Sequence, residues 1–259
     1  MNLNVLIFEM IESIAVVKMN NPPVNAMTKA FLDDLNQVLR NVREKLKPRA
    51  LILTSECHGF FSAGDDINTL QNIDPSLIKL LPEVHSALNI FEQLPFPTIA
   101  AINGHALGGG CELSMACDFQ FMGDNSGRIG LPEVRLGMIP VFGGTQRLPQ
   151  LIGKSKAMEM MIKGLQLTPK DALKIGLIND IFPQSELYER SLDYAKRLAR
   201  QATGAIARIK ACVNAGYYSG IEKGLAKEIE VFAENIETHD AKEGVSAFLE
   251  GRKPDFIGN

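Results

Sequence analysis

A run of three glycines stands next to a carboxylate in this sequence, since residues 108–110 are all glycine and Glu112 follows. The apolar residues 97–102 before them are typical of a buried strand, whereas residues 113–117 show no strand alternation. We therefore predict that a strand passes into a helix at these glycines. The first N–H groups of a helix have no intrahelical acceptor and stand at the positive end of its dipole, so such a turn suits an oxyanion hole. A turn that serves only close packing of helix and sheet is an equal alternative.

Other glycine-rich motifs of enzymes do not fit this stretch. A P-loop needs Lys-Ser or Lys-Thr after its glycines, and a dinucleotide-binding turn needs Gly-x-Gly-x-x-Gly; the stretch has neither. Ser62 is not in a nucleophile elbow, because Phe60 stands where Gly-x-Ser-x-Gly has its first glycine. Nucleotide phosphate is thus a disfavoured ligand.

Further polar residues follow predicted strands or precede predicted helices. Residues 55–66 come after a predicted strand at 50–54 and include Asp65, and Glu133 follows Pro132 at a predicted helix start. Taken alone, each glutamate is more typical of a solvated helix start than of catalysis. The four histidines are scattered, which favours structural or exposed roles, and the lack of a nearby basic residue favours packing for Cys111.

Composition excludes several classes of function. The chain has 259 residues, a net charge of -3 and 46% hydrophobic residues, which predicts a well-buried core but no attraction to nucleic acid or to a membrane surface. No apolar run reaches the length of a membrane span, and four cysteines without Cys-x-x-Cys spacing favour reduced thiols, no metal and a cytoplasmic location.

The elements that carry these residues alternate between strand and helix. Residues 5–8 and 14–19 predict an antiparallel hairpin, Thr28 is a predicted N-cap, and Pro82 is expected to kink or restart a helix that begins near residue 74. This alternation predicts an α/β layered fold.

From about Gly153 onward the pattern is mainly helical. Thr168 and Ser185 are predicted N-caps, Gly176 is a predicted C-cap, and residues 177–181 predict a single short strand. The spare apolar surface of these helices is a candidate for subunit packing.

Four motifs occur in one order along the chain: residues 61–67 (Phe-Ser-Ala-Gly-Asp-Asp-Ile), residues 103–113 around the glycines, Pro132-Glu133, and residues 143–148 (Gly-Gly-Thr-Gln-Arg-Leu). In this arrangement the chain resembles the crotonase (enoyl-CoA hydratase/isomerase) superfamily over nearly its whole length. The resemblance implies a crotonase-like spiral of ββα units with two sheets at residues 1–195. It also implies a C-terminal helical region at residues 196–259 that assembles homotrimers, commonly paired into homohexamers.

The resemblance further implies an enoyl-CoA hydratase that acts on acyl-CoA thioesters, with no cofactor besides the coenzyme A of the substrate. The backbone amides of Asp65 and Gly109 match the family's oxyanion hole, and the Asp65 side chain is expected to point away. Glu112 and Glu133 match its two carboxylates, with water activation assigned mainly to Glu112 and proton transfer at Cα mainly to Glu133. The positions matched to substrate binding are Ala63, Gly64, Ile67, Val24, Ala26, Gly108, Pro132, Val141, Lys253 and Phe256.

Two positions depart from the family pattern. Val141 stands where many hydratases have a glycine whose amide helps to hold the attacking water. Asn68 replaces a common lysine, so we expect CoA phosphate contacts either to be weaker or to come from Lys253 and Arg252, of the same or a neighbouring subunit. A Δ3/Δ2-enoyl-CoA isomerase, a CoA-ester hydrolase and a decarboxylase stay open as alternatives within the same fold. A non-catalytic CoA-binding subunit is an alternative of another class.

Overall fold

The computed structural model describes the backbone of residues 1–65 and 76–259 and the side chains of residues 1–65 and 78–259. A six-stranded sheet has the order β1 (Leu6–Ile11), β2 (Ile14–Met19), β4 (Ala50–Ser55), β7 (Thr98–Ile102), β9 (Phe119–Gly123) and β12 (Asp180–Phe182). The hairpin β1–β2 is antiparallel, as predicted, and every later neighbour in this sheet is parallel.

A second, smaller sheet holds the strands that lead to the glycine turn. Its order is β11 (Gln166–Leu167), β10 (Ile129–Gly130), β8 (His105–Leu107) and β5 (Phe60–Ser62), and β3 (Ala26–Met27) pairs with β6 (Gly64–Asp65) beside it. Successive segments of chain place one strand in the large sheet and the next in the small sheet, as β4–β5, β7–β8 and β9–β10 do. The predicted α/β spiral of ββα units is confirmed.

Helices lie on both faces of the large sheet, and further helices pack on other helices. They are α1 (Lys29–Asn41), α2 (Ser76–Glu92), α3 (Gly109–Met115), α4 (Gly144–Ile152), α5 (Lys154–Lys163), α6 (Pro169–Ile175), α7 (Leu187–Ala199), α8 (Thr203–Ser219), α9 (Ile221–Asn235) and α10 (His239–Glu250). Strand alternation divides the core: Val17 and Leu53 face one cluster that includes α1 and α2, whereas Val16 and Ile52 face Ala195 of α7. Because α7 runs through residue 195, the expected boundary between residues 1–195 and 196–259 falls within one helix.

Helix ends follow local chemistry at several predicted positions. Thr28 caps α1 by accepting from the Phe31 amide, Thr168 caps α6 through Asp171, and Gly176 ends α6 in the left-handed conformation. Pro82 does not end its helix, because α2 continues on both sides of it.

Candidate active site

The glycine run forms a turn from strand to helix, as predicted, but the strand that enters it is β8 and not the strand predicted at residues 97–102. Strand β8 ends at Leu107, Gly108 adopts φ 53°, and α3 begins at Gly109. A Cβ on Gly110 would overlap the carbonyl oxygen of Ser62 and lie 2.8 Å from its Cβ, so only glycine lets α3 approach β5 this closely. Close packing is therefore one role of these glycines.

A second loop lies directly against this turn. A Cβ on Gly64 would stand 2.8 Å from the amide nitrogen of Gly109, which places the Gly64–Asp65 peptide beside the start of α3. The amide of Ala63 donates to the carbonyl of Val24 at 2.9 Å, and Ala26 pairs with Gly64 in the two-stranded sheet. The structure thus brings together Val24, Ala26, Ala63, Gly64, Asp65, Gly108 and Gly109.

Asn25 holds this pair of loops in place, a role that the sequence analysis missed. Its buried side chain donates to Ser55 Oγ at 2.6 Å and to the carbonyl of Phe61 at 2.9 Å, while its own carbonyl accepts from Ser62 Oγ at 2.7 Å. It adopts φ 52°, a conformation that asparagine tolerates better than most residues. An asparagine between a Pro-Pro-Val sequence and a short strand was the available signal.

Glu112 lies in the first turn of α3 and is only 1% exposed. Its Oε1 accepts from the amide of Phe142 at 2.9 Å and from the amide of Gly144 at 2.6 Å. Burial raises the pKa of Glu112 to about 8; the charge of Glu133 raises it as well, and the two amides lower it. The side chain is therefore fixed in direction and held near the pH range in which it can exchange a proton.

Glu133 begins the short 3-10 helix Glu133–Leu136 after Pro132, as predicted. A Cβ on Gly108 would lie 3.3 Å from Glu133 Oε1, so the carboxylate reaches the glycine turn. Its Oε2 is buried and has no hydrogen-bond partner among the described residues. Burial raises the pKa of Glu133 to about 7, and the charge of Asp65 adds to this effect.

Asp65 is the third acid of this site. Burial raises the pKa of its carboxyl to about 6, and its charge in turn raises the pKa of both glutamates. Two sequence-distant glutamates and an aspartate therefore share one poorly solvated space. Such groupings of perturbed acids are characteristic of catalytic sites.

An apolar cavity of about 360 Å³ opens beside Asp65 between α1 and α2. Its wall includes Phe31 and Leu35 of α1, Val84 and Leu88 of α2, and Val141. Lys29 and Thr28 are among its few polar neighbours. This lining suits a hydrocarbon chain better than a polar group.

Two of the predicted substrate-binding residues, Lys253 and Phe256, do not join this group. Ile67, like Asn68, lies outside the described residues. Phe256 is held next to Arg49, whose Nη1 donates to its carbonyl at 3.0 Å, and none of the contacts in the described part of the chain connects Lys253 or Phe256 with the glutamates. Arg252 donates to Glu243 and Glu250, so its guanidinium is already paired.

No cluster of three or more metal-ligating side chains occurs within residues 1–65 and 78–259. Over the described part of the chain, no helix combines the length and apolar character that crossing a membrane requires.

Comparisons with known proteins agree on one family. A family model described as enoyl-CoA hydratase/isomerase matches residues 9–259. The chain is 37% identical over 250 residues to a probable enoyl-CoA hydratase of Bacillus subtilis (strain 168), covering 95% of each chain. It is 35% identical to a crotonyl-CoA hydratase of Syntrophomonas wolfei, covering 97% of each. A crystal structure of an enoyl-CoA hydratase from Geobacillus kaustophilus HTA426 superposes with a TM-score of 0.96 at 38% identity, covering 100% of this chain and 98% of that one.

Proposed function

Because the chain belongs to the enoyl-CoA hydratase/isomerase family, we propose that it is an enoyl-CoA hydratase that adds water across the 2,3 double bond of a 2-enoyl-CoA thioester. The observation that carries this proposal is the pair of glutamates at one glycine turn, Glu112 buried and Glu133 half-buried, each with a raised pKa. Relatives at 35–37% identity with hydratase names support the same reaction over an isomerase or a hydrolase. Two intact carboxylates also argue against a non-catalytic subunit.

The amides of Asp65 and Gly109 are proposed to bind the thioester oxygen. Attack of water at C3 moves the electrons of the double bond toward the thioester carbonyl, so negative charge develops on its oxygen. Donors fixed before the reaction stabilise that charge without reorganising, and one such donor contributes on the order of 10²–10³ in rate in other enzymes. The 2.8 Å contact that a Gly64 Cβ would make with the Gly109 nitrogen supports a common location for the two amides.

The two glutamates are proposed to move the protons. Ionised Glu112 takes one proton from water as its oxygen bonds to C3, and protonated Glu133 delivers a proton to C2, so that H and OH are added in total. The hydrogen bonds that the two backbone amides donate to Glu112 both end on Oε1, which leaves Oε2 to accept from the water. The pKa of Glu112, about 8, lies above that of Glu133, about 7, so the resting proton is shared by the pair, and the proposed roles require that it stand on Glu133 when water and substrate are bound.

The cavity beside Asp65 is proposed to hold the acyl chain. Its apolar wall favours an aliphatic chain over one that ends in a carboxylate, because an unpaired charge there would lose its hydration. Val24 and Ala26 lie beside the oxyanion loop, which supports their predicted contact with the CoA moiety.

Assembly into trimers, or pairs of trimers, is proposed for the C-terminal helices. Helix α9 exposes Ile229 at 76% and Phe232 at 65%, and α10 exposes Phe248 at 85%. Apolar surface of this extent on neighbouring helices is typical of subunit contacts. Lys253 and Phe256 are then proposed to reach the CoA of a neighbouring subunit, because their own contacts lie elsewhere in the chain.

A cytoplasmic location and a role in fatty acid metabolism complete the proposal. The four cysteines are all free, which supports a reducing compartment.

An acyl-CoA panel tests the function directly. Crotonyl-CoA, longer 2-enoyl-CoA thioesters, a 3-enoyl-CoA and saturated acyl-CoA esters are each followed for loss of the conjugated enoyl absorbance, for its appearance, and for release of free thiol. Hydration of the 2-enoyl substrates is expected to dominate. A 3-enoyl substrate converted faster than any 2-enoyl substrate is hydrated would favour the isomerase, and thiol release as the main reaction would favour the hydrolase.

A further inference from the structure

The orientation of Glu112 depends on one short segment, residues 137–144, which joins the 3-10 helix to the first residue of α4. Within it, the amides of Phe142 and Gly144 both donate to Glu112 Oε1, at 2.9 and 2.6 Å. Residues 138–143 lie in no helix or strand, so their conformation is not set by a helix or sheet ladder, whereas Gly144 is the first residue of α4. Other contacts must therefore hold the Phe142 amide, and the backbone that leads into Gly144, toward the carboxylate.

Two side chains supply such contacts by binding the carbonyl groups of the same segment. His85 Nε2 lies 2.6 Å from the carbonyl oxygen of Val141, and Arg147 Nη1 donates to the carbonyl oxygen of Phe142 at 3.2 Å. Because a carbonyl oxygen only accepts, Nε2 of His85 carries the hydrogen. The Val141 carbonyl and the Phe142 amide belong to one planar peptide unit, so His85 fixes the plane whose N–H points at Glu112. The Phe142 carbonyl stands between the two donating amides along the chain.

Both contacts depend on a single polar face of α2. His85, Asn89 and Glu92 recur at spacings of four and three residues, which places them on one side of the helix. Arg147 Nε and Nη2 donate to Glu92 Oε2 at 3.1 and 2.9 Å, and Nη2 also donates to Asn89 Oδ1 at 2.8 Å. Tyr218 of α8 donates to the other oxygen of Glu92. Arg147 is only 6% exposed, and these hydrogen bonds fix the position of its guanidinium. The carboxylate of Glu92 neutralises its positive charge.

The backbone leaves room for this arrangement at Gly143. A Cβ at this position would overlap Nη1 of Arg147, the atom that donates to Phe142. Gly143 also adopts φ 103°. The glycine thus admits the guanidinium against the segment.

We propose that His85 and Arg147 are positioning residues for the hydration reaction, holding the carbonyl groups of Val141 and Phe142 so that the amides of Phe142 and Gly144 face Glu112. This inference rests on the proposed function of Glu112 as the base. Neither residue touches the reacting atoms; each acts through the segment. Loss of either contact lets the segment rotate, which weakens the hydrogen bonds from its amides to the ionised carboxylate. Because these hydrogen bonds lower the pKa of Glu112, the pKa rises and Glu112 becomes harder to ionise.

Because the His85 side chain is exposed, its replacement should leave the fold intact and so tests the proposal directly. We expect His85→Ala to lower kcat about 3- to 10-fold with little change in KM, and to move the acidic limb of the kcat–pH profile to higher pH. His85→Gln keeps an N–H donor at the end of a side chain of similar length. We expect it to restore most of the kcat and most of the position of the acidic limb. His58→Ala, which removes another exposed histidine, is the matched control and should leave both unchanged.

Arg147→Lys keeps the positive charge beside Glu92 but cannot donate to Glu92, Asn89 and Phe142 together. We expect the same signature as for His85→Ala, with a fall in kcat of about 10- to 100-fold. If this variant does not fold, Gly143→Ala replaces it, because its Cβ displaces the guanidinium without changing any charge. Gly176→Ala is its control: Gly176 has φ 82° and ψ 19° against 103° and 5° for Gly143, and a Cβ there would meet only the Leu151 carbonyl oxygen, at 4.0 Å.

The outcomes separate the two proposals. If the wild-type protein hydrates 2-enoyl-CoA but His85→Ala and the folded Arg147→Lys or Gly143→Ala keep its kcat and acidic limb, the positioning proposal is wrong. The same holds if these variants only lose thermal stability, as Gly176→Ala is expected to do. A wild-type protein without hydration activity would instead remove the proposed function itself.

Discussion

At the scale of single residues, the chemistry depends on acids that water reaches poorly. Glu112, Glu133 and Asp65 all have a raised pKa, and burial is the largest cause in each case. The sequence allowed both glutamates to be identified, because each stands in a recognisable motif after glycines or proline. It did not identify His85, Asn25 or Arg147 as structural partners of the site. The contacts of His85 with Val141, of Asn25 with Ser55 and of Arg147 with Asn89 join residues 56, 30 and 58 positions apart.

Replacing the proposed acid should stop hydration without unfolding the chain. We expect Glu133→Gln to lower kcat for 2-enoyl-CoA by about 10²–10⁴, because the amide cannot deliver a proton to C2. The measurement is loss of enoyl absorbance, with circular dichroism to show that the fold is kept. Full turnover by the folded variant would contradict the two-carboxylate scheme.

Replacing Asp65 should spare activity, because only its backbone amide is proposed to bind the thioester. Asp65→Asn removes a negative charge that raises the pKa of both glutamates, so their pKa values should fall. We expect the kcat–pH profile to move to lower pH, with kcat at its optimum within about 10-fold of wild type. A folded variant that binds substrate normally but is inactive would show that the side chain itself takes part.

Glu112 should lower the stability of the fold as pH rises. The carboxyl keeps its proton to a pKa of about 8 when folded, against 4.5 as the ordinary value, so the folded state binds more protons between these limits and the free energy of unfolding falls with increasing pH. We expect Glu112→Gln to be more stable than wild type by about 1–3 kcal/mol at pH 8, with most of this difference gone at pH 5. Urea unfolding at both pH values measures it, and the exposed Glu44→Gln is the control. A difference independent of pH would exclude this cause.

At the scale of elements, caps and alternation predicted well where the signal was local. Thr28 and Thr168 were correctly predicted to begin helices, because an N-cap bond forms within four residues. The cap predicted at Ser185 is wrong, since α7 begins at Leu187 after Glu186, which makes no side-chain cap bond.

Strand β8 was not foreseen, because a strand of three residues exists only through pairing with β5 and β10. The strand predicted at residues 177–181 instead runs over Asp180–Phe182, where it pairs with β9.

The contact of α3 with β5 should tolerate no side chain. In Gly110→Ala the new Cβ overlaps the Ser62 carbonyl, so α3 must move away from the loop that carries Asp65. We expect a loss of about 1–3 kcal/mol in stability and a marked fall in kcat, since Gly109 begins α3 and Asp65 lies in β6, which directly follows β5. Gly216→Ala is the control, because its Cβ would meet only Gly224 Cα, at 3.6 Å, and alanine favours a helix. Thermal unfolding and steady-state kinetics measure the two effects, and an active, stable Gly110→Ala would refute the close packing.

At the scale of the whole molecule, the described chain leaves a large apolar surface on α9 and α10. We expect Phe232→Glu combined with Ile229→Glu to reduce the sedimentation coefficient to that of a single chain, because buried charges would oppose subunit contact. If Lys253 and Phe256 act across the contact, the KM for acyl-CoA should rise at the same time. A wild-type protein that already sediments as one chain would contradict the proposed assembly. Sequence periodicity predicted the helices of this region, but it did not show which of their faces stays unpaired.

The three acids around the glycine turn also allow the folded protein to bind and release protons near neutral pH. Aspartate and glutamate normally titrate well below pH 6, yet Asp65, Glu133 and Glu112 do so at about 6, 7 and 8. Folding therefore adds buffering capacity between pH 5 and 9 to that which the 4 histidines of the composition supply, because the 30 acidic residues would ordinarily contribute little there. A ligand that displaces water from this pocket changes the number of bound protons, so the heat of acyl-CoA binding should depend on the ionisation enthalpy of the buffer.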